Sequence, residues 1–123
     1  MPVINVQTLP LDSSINKGEI LKKLVSSLSA AIDTPEERIF AQWQTTDVFV
    51  DSMEPKSQWC NSSHPPVVKI DMFEGRDETK KDKALDSIVS TIKQELDFAG
   101  NPFVFISDIA NGHVHTGGKI IKK

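Results

Sequence analysis

The chain carries one cysteine, Cys60, in 123 residues, so no disulfide can close within it, and such sparing use of cysteine fits a reducing compartment. It has no run of about 18 apolar residues, the length a membrane-spanning helix needs. Residues 1–15 lack the charged-then-apolar pattern of a secretory signal, so the cytoplasm is the expected address. Positive charge is not in excess either. Fourteen Lys and Arg against 17 Asp and Glu leave a net charge of -3, and only the tail 119–123 is basic. A nucleic-acid partner is therefore not expected, because neutralising phosphates requires a basic face. Histidine is scarce as well: His64, His113 and His115 have no carboxylate or cysteine at a ligand spacing beside them, and neither a metal nor another cofactor is expected. What remains, 38% apolar and 25% charged, is the composition of one globular domain with a single core, residues 1–123.

Two stretches have helical periodicity. In "EILKKLVSSLSAAID", residues 19–33, the apolar positions Ile20, Leu21, Leu24, Val25, Leu28 and Ile32 share a face. Asn16 precedes it with Glu19 three residues on, a capping-box-like start. In residues 79–97 the face is Ala84, Leu85, Ile88, Val89, Ile92 and Leu96. Every one of these lies 64 residues after its counterpart in the first set. The same shift pairs Pro66 with Pro2, Val67 with Val3, Val68 with Ile4, Ile70 with Val6, Asp97 with Asp33 and Phe103 with Ile39. The chain is an internal repeat, and a repeat sets the architecture before any fold is named.

Each unit reads strand, helix, strand: "PVINVQT", helix, "IFAQWQT" in residues 2–46, and "PVVKIDMF", helix, "PFVFISDI" in residues 66–110. Strands joined through a crossover helix run parallel with right-handed connections. Two such units predict an α+β fold, a four-stranded mixed sheet with two helices on one face. Residues 47–65, rich in Ser and Pro, read as a linker with a short strand near 48–50 and Trp59 as a packing anchor. The end, "NGHVHTGGKII", has Gly112, Gly117 and Gly118 as turn formers before an apolar run that can pair as an edge strand. The sheet face away from the helices would leave Val3, Ile39 or their neighbours wet, which favours oligomerisation through it.

An amino-terminal Pro2 after Met1, the double βαβ repeat, "FEGRDETKKDKALDSI" and "DIANGHVHTGG" together resemble the tautomerase superfamily, which includes 4-oxalocrotonate tautomerase, macrophage migration inhibitory factor and malonate semialdehyde decarboxylase. The likeness spans nearly the whole chain. It implies a homotrimer with the sheets facing inward, removal of Met1, and a tautomerase acting on a small 2-oxo acid or enol, with Pro2 as general base and acid. The physical logic of that amine stands independently. An α-amino group titrates near 8, and burial or a nearby arginine disfavours its charged form, so it is neutral at pH 7 and suited to lifting a proton beside a carbonyl. Pro66 repeats Pro2, but its nitrogen lies inside an amide and cannot do this.

Arg76 matches the arginine of the family's "EGR" element and is implied to grip the substrate carboxylate; Asp12 stands opposite it in the first unit. Glu37 and Arg38, in "PEERIFAQW", resemble the acidic residue and arginine of malonate semialdehyde decarboxylase, but solvated charges between helix and strand are the preferred explanation. Phe103 and Phe105 fall where relatives place pocket-lining residues, though core packing would also account for them. The resemblance has gaps: Phe40 and Phe103 stand where 4-oxalocrotonate tautomerase has a second arginine. Ala30, Phe73 and Thr116 stand where cis-3-chloroacrylic acid dehalogenase has a histidine, an arginine and a glutamate, which disfavours dehalogenation. Two alternatives stay open beside the tautomerase: a decarboxylase or hydratase of a small 3-oxo acid using Glu37 or Arg38, and a non-enzymatic trimeric binding module on the same scaffold.

Overall fold

Alternating apolar residues in "VINVQT" form the first strand of the structure, a computed structural model that describes residues 2–51, 53–60 and 64–122. In order, β1 (Val3–Thr8), α1 (Lys17–Ile32), a 3-10 turn (Glu36–Arg38) and β2 (Phe40–Thr45) make the first unit; β5 (Val67–Phe73), α2 (Glu78–Leu96) and β6 (Phe103–Ile109) make the second. Between them β3 (Phe49–Asp51) and β4 (Glu54–Lys56) form a hairpin, and β7 (Val114–Thr116) with β8 (Lys119–Ile121) form another. The central sheet runs β2-β1-β5-β6, with β1 parallel to β2, β5 parallel to β6, and β1 antiparallel to β5. This is the four-stranded mixed sheet with two helices on one face that the repeat predicts.

Both helices start and stop where side-chain chemistry directs. Asn16 caps α1 by accepting the Glu19 amide, and Asp77 caps α2 by accepting that of Lys80. Asp33 and Asp97 close them in the left-handed region at φ 59° and 48°, a conformation aspartate tolerates better than most residues. From α1 the residues Ile20, Leu24, Leu28 and Ile32 are buried, and from α2 Ala84, Ile88, Ile92 and Leu96, again 64 apart. They cover Ile4, Val6, Val68, Ile70 and Met72 of the central strands in one core. Burying each large aliphatic side chain contributes about 1.5–3 kcal/mol.

The repeat also appears as a local two-fold axis. Asn5 of β1 pairs with Lys69 of β5, and the Ser27 hydroxyl meets that of Thr91 at 2.8 Å between the helices; both pairs are residues 64 apart facing each other. The shift breaks only after α2. Phe40 donates its amide to the Pro2 carbonyl at 3.0 Å and Phe103 donates to that of Pro66 at 2.9 Å, so Phe103 corresponds to Phe40 and not to Ile39. The second unit has one residue fewer between helix and strand.

That slip corrects the expected open face. Ile39 is buried, and Phe40 is the residue beside Val3 on the uncovered side. There the middle of the sheet is largely polar: a hollow of about 260 Å3 is lined by Asn5, Gln7, Gln42, Gln44 and Lys69, with Val67 and Phe105 at its apolar side. Gln42 donates to Asn5, and Gln7 to Gln44 at 3.2 Å. Aromatic residues occupy diagonal corners, with Phe40 53% exposed at one and Phe103 59% exposed at the other.

The chain's end forms a hairpin with itself instead of extending the central sheet. Gly117 and Gly118, both at positive φ, make the two-residue turn that brings Thr116 opposite Lys119. Trp59 anchors the linker as expected: its amide donates to Pro10, and its ring sits 5.4 Å from that of Phe98. Among the described residues no helix is long and apolar enough to cross a membrane.

Candidate active site

One end of the sheet gathers most of the candidate residues, and the strand directions explain why. Val3, at the start of β1, pairs with Phe40 at the start of β2 and with Asp71 near the end of β5, while Phe73 pairs with Ile109 at the end of β6. Pro2 therefore lies beside the connections α1-to-β2, β5-to-α2 and β6-to-β7. The first carries Thr34, Glu37 and Arg38, and the second carries Arg76.

Pro2 is fully buried. Met72 and Phe73, which follow Asp71 at the end of β5, are buried as well. Met1, whose removal the resemblance implies, lies outside the described residues. Arg76 is half-buried and fixed at two points: Nη1 donates to the Phe73 carbonyl at 3.4 Å, and Nη2 to the Thr34 hydroxyl at 3.3 Å. The loop that carries it is tied down on the β6 side. The Glu74 carboxylate accepts the Asn111 amide at 3.2 Å, and Lys81 donates to Asp108 at 3.0 Å. The hydrogen bond to Asp108 raises the Lys81 ammonium above its ordinary value, so it is charged throughout the neutral range.

Glu37 and Arg38 are exposed on the 3-10 turn at this same end. Phe103 and Phe105 are not. Phe103 pairs with Val67 and Phe105 with Lys69, which places both toward the opposite end of the sheet from Pro2 in the same chain. Within one chain they stand apart from Pro2, because strand β6 enters the sheet beside Pro66. Phe40, exposed at the start of β2, and Phe73, buried at the end of β5, are aromatic residues at Pro2's end. The missed residue is Thr34, which contacts Arg76 across 42 positions of sequence, a separation no periodicity reveals.

The two-fold related end is built differently. Where the first end has Arg76, this one has Asp12, held below the usual carboxylate range by the Ser14 backbone amide that it accepts at 2.9 Å. Pro66 is buried as Pro2 is, yet its nitrogen is part of the Pro65–Pro66 peptide. His64 stacks on Phe49 there, ring centroids 4.9 Å apart. It lies before β5, whereas His113 and His115 follow β6, so the three histidines divide between opposite ends of the sheet.

Grooves of about 610 and 680 Å3 lie on the helical layer, one between α1 and α2 and the other between α1 and the edge strand β2. Neither is lined by Pro2 or Arg76.

No family model and no curated protein matches the chain. Solved structures do. The R7 fused 4-OT, described as an asymmetric trimer, superposes with a TM-score of 0.83 at 22% identity over 96% of this chain and 94% of that one. Pt0534, described as inactivated by 2-oxo-3-pentynoate, gives 0.79 at 14% identity over 97% and 94%. A macrophage migration inhibitory factor-like protein from Entamoeba histolytica gives 0.75 at 16% identity over 98% of both chains. At these identities the likeness establishes the fold, the one that these solved structures share.

Proposed function

We propose that the chain is a tautomerase that interconverts enol and keto forms of a small carboxylate-bearing 2-oxo acid. Pro2, freed by loss of Met1, moves the proton, and Arg76 binds the carboxylate. What supports this is a buried Pro2 and a hydrogen-bonded Arg76 at the same end of a sheet with the tautomerase fold. A secondary amine in dry surroundings loses its proton more readily than one in water, and so acts as a base near neutral pH. A guanidinium presenting paired N–H donors orients a planar carboxylate, placing the adjacent carbon for proton transfer.

The working form is a homotrimer. The open sheet face with its aromatic corners is unsuited to solvent, and trimeric fused 4-OT proteins share the fold. In such an assembly Phe103 and Phe105 of a neighbouring copy would line the pocket at Pro2's end. A decarboxylase or hydratase of a small 3-oxo acid is the second reading, favoured by Glu37 and Arg38 standing exposed at Pro2's end.

The test is ketonisation of phenyl-enolpyruvate by the wild type and by Arg76→Ala. The wild type catalyses it, and Arg76→Ala raises KM by about tenfold or more, the loss expected for a charge-assisted hydrogen-bonded contact. A wild type inert toward the enol but active on malonate semialdehyde would replace this reading with the second.

A further inference from the structure

The chain leaves its two helices in the same way, and comparing the two exits isolates a residue that nothing in the sequence pattern marks. After α1 the Thr34 amide donates to the Ser29 carbonyl at 3.2 Å; after α2 the Phe98 amide donates to the Lys93 carbonyl at 3.1 Å, each partner 64 residues on. The chain therefore follows the same path out of both helices, through Asp33 and Asp97 in the left-handed region. The side chains then differ. Phe98 packs its ring against Trp59, and the residue 64 positions before Arg76 is Asp12. Thr34 instead turns a hydroxyl to Arg76. The hydroxyl–guanidinium pair thus exists only at the end where the proline nitrogen can become an amine.

Thr34 is itself held firmly. Besides its amide bond to Ser29, its carbonyl accepts the Ser29 hydroxyl at 2.5 Å, and its β-branched side chain has few rotamers to choose from. Arg76 carries five N–H donors, and the bonds to Thr34 and Phe73 engage two of them among the described residues, leaving three for a ligand. An arginine on a loop at a helix start would otherwise sample many rotamers, and ordering it on binding weakens the complex.

We infer that Thr34 is the positioning residue for Arg76: it fixes the guanidinium before substrate arrives, so that the cap of α1 in the first repeat sets carboxylate affinity in the second. This deepens the proposed function and rests on Arg76 being the carboxylate clamp. A residue acting this way changes KM and not the proton-transfer step, because Pro2 is untouched.

The experiment compares Thr34→Val, which keeps shape and loses the hydroxyl, with Thr34→Ser, which keeps the hydroxyl, using phenyl-enolpyruvate kinetics and the NMR order parameter of the Arg76 Nε–H bond. Thr34→Val is expected to raise KM about tenfold with kcat within about twofold, and to lower the Arg76 order parameter. Thr34→Ser restores both to near the wild-type values, and Thr34→Val adds nothing to the effect of Arg76→Ala. The inference is overturned by an unchanged KM and order parameter in Thr34→Val, by Thr34→Ser behaving like Thr34→Val, or by full additivity with Arg76→Ala. Should Arg76→Ala itself leave KM unchanged while the order parameter still falls in Thr34→Val, Thr34 does hold Arg76 and it is the carboxylate role of Arg76 that is refuted.

Discussion

Pro2→Ala is expected to lower kcat for enol ketonisation by about 100-fold or more, within the range that a positioned general base contributes. The size follows from what alanine retains and what it loses. An alanine at the new terminus still supplies an amine, but a primary one on a freely rotating backbone, where proline's ring fixes the approach of its nitrogen. It also fills less of a buried position, admitting water that stabilises the ammonium and moves the base back toward the ordinary α-amino value of about 8. KM is expected to change little, since Arg76 is untouched. Full activity in Pro2→Ala would remove proline from the mechanism.

The second large effect is on stability. Leu28, on the inner face of α1, has no exposed surface, and it belongs to the core shared by both helices and the central strands. Leu28→Ala should cost about 2–5 kcal/mol through lost transfer energy and a cavity that the surrounding helices cannot close. For a chain of this length each kcal/mol lowers Tm by about 4 °C, so thermal unfolding followed by circular dichroism should show a fall of about 8–20 °C. Protein concentration must be matched between samples, because assembly stabilises the folded chain by mass action. A shift under about 2 °C would mean that the helix does not dock on this face.

Much of this architecture is readable in the residues themselves. The spacing of Ile20, Leu24, Leu28 and Ile32, repeated 64 residues later, gives both helices and the face each buries, and Asn16 marks where the first begins. Pro2 and Arg76 are legible as candidates only through a resemblance, since a lone proline or arginine carries no local pattern. Their meeting at one end of the sheet follows from antiparallel pairing of β1 with β5, which depends on how the two repeats dock and not on the sequence within either.

Loop length is where the pattern misleads. A constant shift of 64 equates Phe103 with Ile39, but the connection after α2 is one residue shorter, and in a strand one residue reverses the face. Ile39 is buried for that reason, while Phe40 and Phe103 both stand on the open side. Thr34 escapes notice for another reason. Its importance lies in a partner from the other repeat, and on its own it reads as a helix-ending polar residue.

The central claim is that Pro2 is a free, neutral amine in a dry setting, and titrating its nitrogen tests this most directly. Protein of confirmed intact mass, carrying 15N-proline, should show a Pro2 nitrogen whose chemical shift follows a single protonation step with a pKa below the ordinary α-amino value of about 8, matching the ascending limb of the kcat/KM profile. A mass that retains Met1, a Pro2 nitrogen that does not titrate, or one that titrates at or above about 8 would contradict the account.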